Sequence, residues 1–214
     1  MMARTQNVRL SAALLLGVAV AACNPTPPTP GLALGKELFE TCAPCHGDMG
    51  TGDVEIDAPA IAGLPQWYIE AQLRGFQAGM RGMHANDLPA LRMRPMAMTL
   101  NRDGDIPSVA EYVAGLPATF PESTLHGNAG AGAERYAAVC VACHGPDGRG
   151  NELLWAPPIV QLNDWYLVQE LQNFREGARG ADPADIWGQQ MRINTFALDD
   201  QAMADVIAYV QTLR

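Results

Sequence analysis

At 214 residues the chain has room for one medium domain or two small ones. With 48% hydrophobic and 17% charged residues it is globular, which excludes a disordered chain and one embedded in membrane throughout. A net charge of −9 with Lys36 as the sole lysine excludes nucleic acid, whose phosphates demand a basic footprint, and favours basic partner surfaces over anionic lipid.

The chain opens with Arg4 and Arg9 ahead of an apolar run, LSAALLLGVAVAA, over residues 10–22. That run is shorter than a membrane-spanning helix needs, and its basic flank suits an export signal over residues 1–22. It ends in VAAC, which resembles the bacterial lipoprotein signal, where Cys23 is lipidated and becomes the first mature residue. An ordinary signal peptide with a chance cysteine is the alternative. The prolines of NPTPPTP make residues 23–30 an extended tether, so the mature chain is expected to be anchored to a membrane rather than to span it. Loss of residues 1–22 removes two arginines and takes the charge from −9 to −11.

Beyond the tether the chain repeats itself at an offset of 98. CAPCHGDMGTG at Cys42 returns as CVACHGPDGRG at Cys140, and the same offset relates Pro59 to Pro157, Trp67 to Trp165, Phe76 to Phe174, Gly79 to Gly177 and Arg81 to Arg179. A register kept over about sixty residues marks a duplication. Three helical patterns follow in each copy. The first pairs Gly35 with Phe39, or Gly132 with Tyr136, four residues on, placing bare backbone and an aromatic on one face for a close crossing. The second starts at Pro65 or Asp164, carries Leu73 and Phe76 or Leu171 and Phe174, and stops at Gly79 or Gly177. The third shows an amphipathic stripe: Ile106, Val109, Ala110, Val113 and Leu116, matched by Met203, Val206, Ile207, Val210 and Leu213. Strand alternation is largely absent. The expected architecture is all-α: two domains, residues 31–118 and 127–214, joined by a linker over 119–126. Domains this small have thin cores, which a large apolar cofactor would thicken.

The cysteines name that cofactor. Cys42, Cys45 and His46, and likewise Cys140, Cys143 and His144, spell C-x-x-C-H, the attachment pattern of haem c. Residues i, i+3 and i+4 share one helical face, so two thiols can bond the vinyl groups of one porphyrin edge while the histidine reaches the iron. Zinc and thiol-redox sites also use C-x-x-C, but zinc would need further ligands, and the fifth cysteine is Cys23. The expectation is two haem c groups. A sixth iron ligand is Met or His in electron carriers. Met191 is the sole methionine between the second motif and the last helix, and subtracting 98 gives Met93. Met93 is therefore the matching ligand, with Met96 as its rival and Met96 and Met98 otherwise packing round the haem edge. His84 and His126 have no such match and read as surface residues. Pro59 and Pro157, 13 residues beyond the histidines, either offer a carbonyl to the imidazole N–H or are simple turn prolines. Trp67 and Trp165 read as core aromatics. Arg81, Arg179, Arg94 and Arg192 are possible propionate partners, with a solvated state expected for each.

The paired motifs, each followed by a methionine and a terminal L-x-x-x…AYV helix, resemble the di-haem class I cytochromes c of the cytochrome c4 type. Segments such as NFREGARG add to the likeness, which covers nearly all of residues 31–214. The resemblance implies an exported protein of two small helical domains related by pseudo-twofold symmetry, with His/Met iron. By position, His46 and Met93 would bind one iron and His144 and Met191 the other. It also implies electron delivery between respiratory partners, from a quinol-oxidising complex or other donor to a terminal oxidase or other acceptor, on the periplasmic side. The alternatives are a peroxide-reducing di-haem enzyme and a haem-bearing structural subunit of a membrane oxidoreductase. The copies depart from each other in length: one residue fewer between Phe39 and Cys42 than between Tyr136 and Cys140, and one more between Leu100 and Tyr112 than between Leu198 and Tyr209.

Overall fold

The computed structural model describes residues 29–214. The export segment, the Cys23 lipidation site and most of the proline tether lie outside the described residues. In the first half, α1 (Leu32–Phe39) leads into a single helical turn, α2 (Ala43–His46), then α3 (Gln66–Ala78), α4 (Leu88–Met98) and α5 (Asp105–Ala114). The second half repeats the order with α6 (Ala129–Arg135), α7 (Val141–His144), α8 (Asp164–Glu176), α9 (Ile186–Thr195) and α10 (Asp200–Gln211). Among the described residues β pairing is confined to two isolated bridges, Asp53 with Ala58 and Asn151 with Ala156.

The first and last helices of each half cross where the glycines stand. A Cβ on Gly35 would lie 2.0 Å from the Ser108 carbonyl oxygen, so α1 and α5 approach backbone to backbone. One helical turn along, the Phe39 and Tyr112 rings meet at 5.3 Å, and Tyr136 meets Tyr209 at the same separation. The α3 and α8 helices end as the sequence predicts. Gly79 and Gly177 take φ of 78° and 80°, the left-handed cap that favours glycine. Phe39, Leu73, Phe76, Ile106, Val109 and Val113 form the first core. Burying each such side chain contributes on the order of 1.5–3 kcal/mol. The second core is built on Tyr136, Leu167, Val206, Ile207 and Val210, and Leu64 and Tyr68 of the first half reach into it.

Two features go beyond the sequence reading. The extra residue before Cys140 is absorbed by a π turn, Tyr136–Cys140, which keeps the cysteine face aimed as in the first half. Each half also has a fourth helix, α4 or α9. Asp87 Oδ1 accepts from Ala90 N–H at 3.1 Å, and Asp185 Oδ1 from Gly188 N–H at 2.9 Å, so both are N-capped by an aspartate side chain. The linker is held by Asp164, whose carboxylate accepts from Thr124 and Leu125 N–H and from the Thr124 hydroxyl.

Candidate functional site

In α2, His46 N–H donates to Cys42 C=O at 3.0 Å, closing the turn that places Cys42, Cys45 and His46 on one wall of a cavity. The α7 turn does the same for Cys140, Cys143 and His144 in a second cavity. Gly47 and Gly145, at φ 77° and 78°, then turn the chain away. The returning loop folds onto the histidine: Gly52 N–H donates to His46 C=O at 2.8 Å, and Gly150 N–H to His144 C=O at 2.9 Å. That return brings the Pro59 carbonyl oxygen to 2.9 Å from His46 Nδ1, and the Pro157 carbonyl oxygen to 3.0 Å from His144 Nδ1. A carbonyl can only accept, so Nδ1 carries the proton and Nε2 keeps its lone pair. Of the two roles open to these prolines, the carbonyl contact is the one found. Both rings are buried, and burial lowers their pKa despite the upward pull of the carbonyl, so each imidazole is neutral and ligand-ready.

Burial pushes Cys42 and Cys140 up to about 11, with Cys45 and Cys143 adding to the rise. A thiol raised in this way is not the lowered, reactive thiol of a redox centre. Among the described residues no cluster of three or more His, Cys, Asp or Glu is placed to hold a metal ion.

Met93 and Met96 both line the first cavity, and Met191 lines the second. Met98 does not line it and is 48% exposed, which corrects its expected place at the haem edge: it sits on the outer face of α4. His84 and His126 are exposed, as expected. Trp67 is half-buried and meets Trp155 of the other half edge-on at 5.7 Å.

The larger correction concerns Arg81 and Arg179, expected in solvent. Arg81 is 8% exposed, and the two arginines share partners across the boundary between halves. Arg81 donates to Gln72 Oε1 at 2.8 Å and to both Glu170 oxygens at 3.1 and 3.2 Å. Arg179 donates to Gln72 Oε1 at 2.8 Å and to Glu170 Oε2. Each guanidinium also lies over an aromatic ring, Phe76 at 4.7 Å and Phe174 at 4.5 Å. Burial alone would raise the Glu170 carboxyl, but Arg81 and Arg179 hold it below its usual range. Tyr68, Gln72, Arg81, Tyr166 and Glu170 line both cavities and so form their common wall. Arg81 Nε is buried there without a partner in the chain, as suits a pocket for an anionic group.

The donor set fits haem c in each half: two thiols, a neutral imidazole with Nε2 free and a thioether, in a mostly apolar lining. Gln72 and Glu170 escaped sequence reading. Their offset of 98 inside the second helix pattern was the available signal.

The family model described as cytochrome c matches residues 32–117 and again 129–214. A protein of Stutzerimonas stutzeri (strain A1501) named thiosulfate dehydrogenase electron acceptor is 33% identical over 79% of this chain and 78% of its own. Cytochrome c4 of Azotobacter vinelandii is 26% identical over 85% of this chain and 88% of its own. The solved thiosulfate dehydrogenase TsdBA of Marichromatium purpuratum superposes with a TM-score of 0.68 at 30% identity, covering 85% of this chain but 40% of that one.

Proposed function

The chain belongs to the cytochrome c family as a di-haem, cytochrome c4-like electron carrier with two covalent haem c groups, and on that premise we propose a specific role. It carries electrons between respiratory-chain partners on the outer side of the cytoplasmic membrane, towards a terminal oxidase, without turning over a substrate. Cys42 and Cys45 hold one haem and Cys140 and Cys143 the other. His46 with Met93 would hold the iron of the first haem, and His144 with Met191 that of the second. Each haem supplies an iron that accepts and returns one electron.

What the chain contributes is a fixed surround. The Pro59 and Pro157 carbonyls hold the imidazole tautomer and raise its basicity. The α4 and α9 helices present the methionines, whose thioethers favour a high potential. Mostly apolar side chains line both sites. Cys23 carries the lipid, and among the described residues no helix is long and apolar enough to cross a membrane. The relative named as an acceptor of thiosulfate dehydrogenase supports a dehydrogenase as one class of donor.

The observation that supports this reading is the repeated donor set: two cysteines, a histidine and a methionine line one cavity in each half. Spectroelectrochemical titration of wild type beside Met93→Ala and Met191→Ala tests it. Each substitution lowers one midpoint and leaves the other nearly in place; if Met96→Ala does so instead of Met93→Ala, the ligand assignment fails. Prompt stoichiometric carbon monoxide binding by the reduced protein would favour the enzyme reading.

A further inference from the structure

Where the halves join, one side chain from α3 and one from α8 share a ring with Arg81 and Arg179, and at those two places the duplication does not repeat the residue. Tyr68 and Tyr166, Phe76 and Phe174, Arg81 and Arg179 keep their identity at the 98-residue offset, whereas Gln72 is matched by Glu170. Repetition of either residue would give a symmetric ring: two amides beside two guanidiniums, or two carboxylates that cancel them. The chain has one of each. Because both arginines donate to Gln72 and to Glu170, the ring carries a single surplus positive charge among its own atoms.

That charge is buried. The side chains of Arg81, Glu170 and Arg179 are 8, 9 and 11% exposed, so salt and water screen the charge poorly. Its position is equally specific. Gln72, Arg81 and Glu170 line both cavities, so the charge faces each cofactor through one shared wall. A positive charge near an iron favours its reduced, less positive state.

We propose that residues 72 and 170 set the charge held between the two haems, and thereby tune both midpoint potentials together. The proposal rests on the di-haem reading above.

Three variants test it in the full, haem-loaded protein. Gln72→Glu makes the ring neutral and adds a carboxylate where both arginines already donate, so the fold is kept. Both midpoints fall, by on the order of tenfold in each reduction constant, about 59 mV for a one-electron couple. Glu170→Gln raises both, in whatever fraction folds once the arginines lose their carboxylate. The exchange Gln72→Glu with Glu170→Gln keeps the charge and returns the mean midpoint to the wild-type value. A folded Gln72→Glu protein with two haems by mass, in which neither midpoint or just one moves, overturns the proposal. Fewer than two haems on the wild type would instead overturn the reading beneath it.

Discussion

A Cβ placed on Gly132 would stand 1.9 Å from the carbonyl oxygen of Asp205, so α6 and α10 touch through their backbones. Helix propensity alone makes Gly132→Ala stabilising by about 1 kcal/mol. Overlap with a backbone atom has no flexible neighbour to absorb it, and overpacking of this kind costs about 1–3 kcal/mol or more. The second effect wins, and denaturant unfolding shows the variant less stable. An alanine variant at least as stable as wild type would mean that the crossing is looser than described.

That glycine was legible from sequence, as were the α3 and α8 caps and the histidine sites, because each is fixed by local spacing and recurs at one offset. The α4 helix was not. Leu88, Leu91, Met93, Met96 and Met98 lie on several faces, and Pro95 sits inside, so no stripe marks it. The Arg81–Glu170 contact was hidden for a different reason. Nothing in either repeat tells an arginine that its partner stands 89 residues away in the other copy. Only the way the two halves come together decides it.

The linker hangs on Asp164. Burial raises its carboxyl, but bonds from Leu125 and Thr124 N–H, the Thr124 hydroxyl and Trp165 N–H outweigh that and lower it. A depressed folded value stabilises above the unfolded one, about 3.9, and the contribution is lost as pH falls through the folded value. Asp164→Asn therefore unfolds at lower temperature than wild type near neutrality, and the gap closes below about pH 3.9. Thermal scans across pH read this directly. A gap that is constant with pH would show that the carboxylate charge is irrelevant to the linker.

Trp155 adopts φ 51°, a left-handed conformation that costs a non-glycine residue about 1–2 kcal/mol. Its ring meets Trp67 across the halves. Asparagine tolerates the same backbone, so Trp155→Asn removes the ring without forcing the turn. A double-mutant cycle with Trp67→Ala should return a coupling of about 0.5–1.5 kcal/mol. Asp57, 98 residues earlier, takes φ 55°, so the turn itself belongs to both halves, and strict additivity would mean that the Trp67–Trp155 contact adds no coupling.

Gln77 ties down the end of the methionine-bearing α4. Its Nε2 donates to Ala97 C=O at 2.9 Å and to Leu100 C=O at 2.8 Å. At the matching place Arg175 donates to Leu198 C=O at 3.1 Å. Ala97 C=O keeps the Leu100 N–H at 3.2 Å, but the buried Leu100 C=O loses its donor, so Gln77→Ala should cost about 1–3 kcal/mol. Because α4 carries Met93 and α9 carries Met191, the loss is local. With Met93 and Met191 as the proposed iron ligands, the sulfur-to-iron charge-transfer absorbance of the first half would disappear on heating at a lower temperature than in wild type, while that of the second half would be unchanged. Gln77→Arg, which copies the second half, restores part of the difference. Equal loss from both halves would mean that the end of α4 is held by the fold as a whole rather than by this side chain.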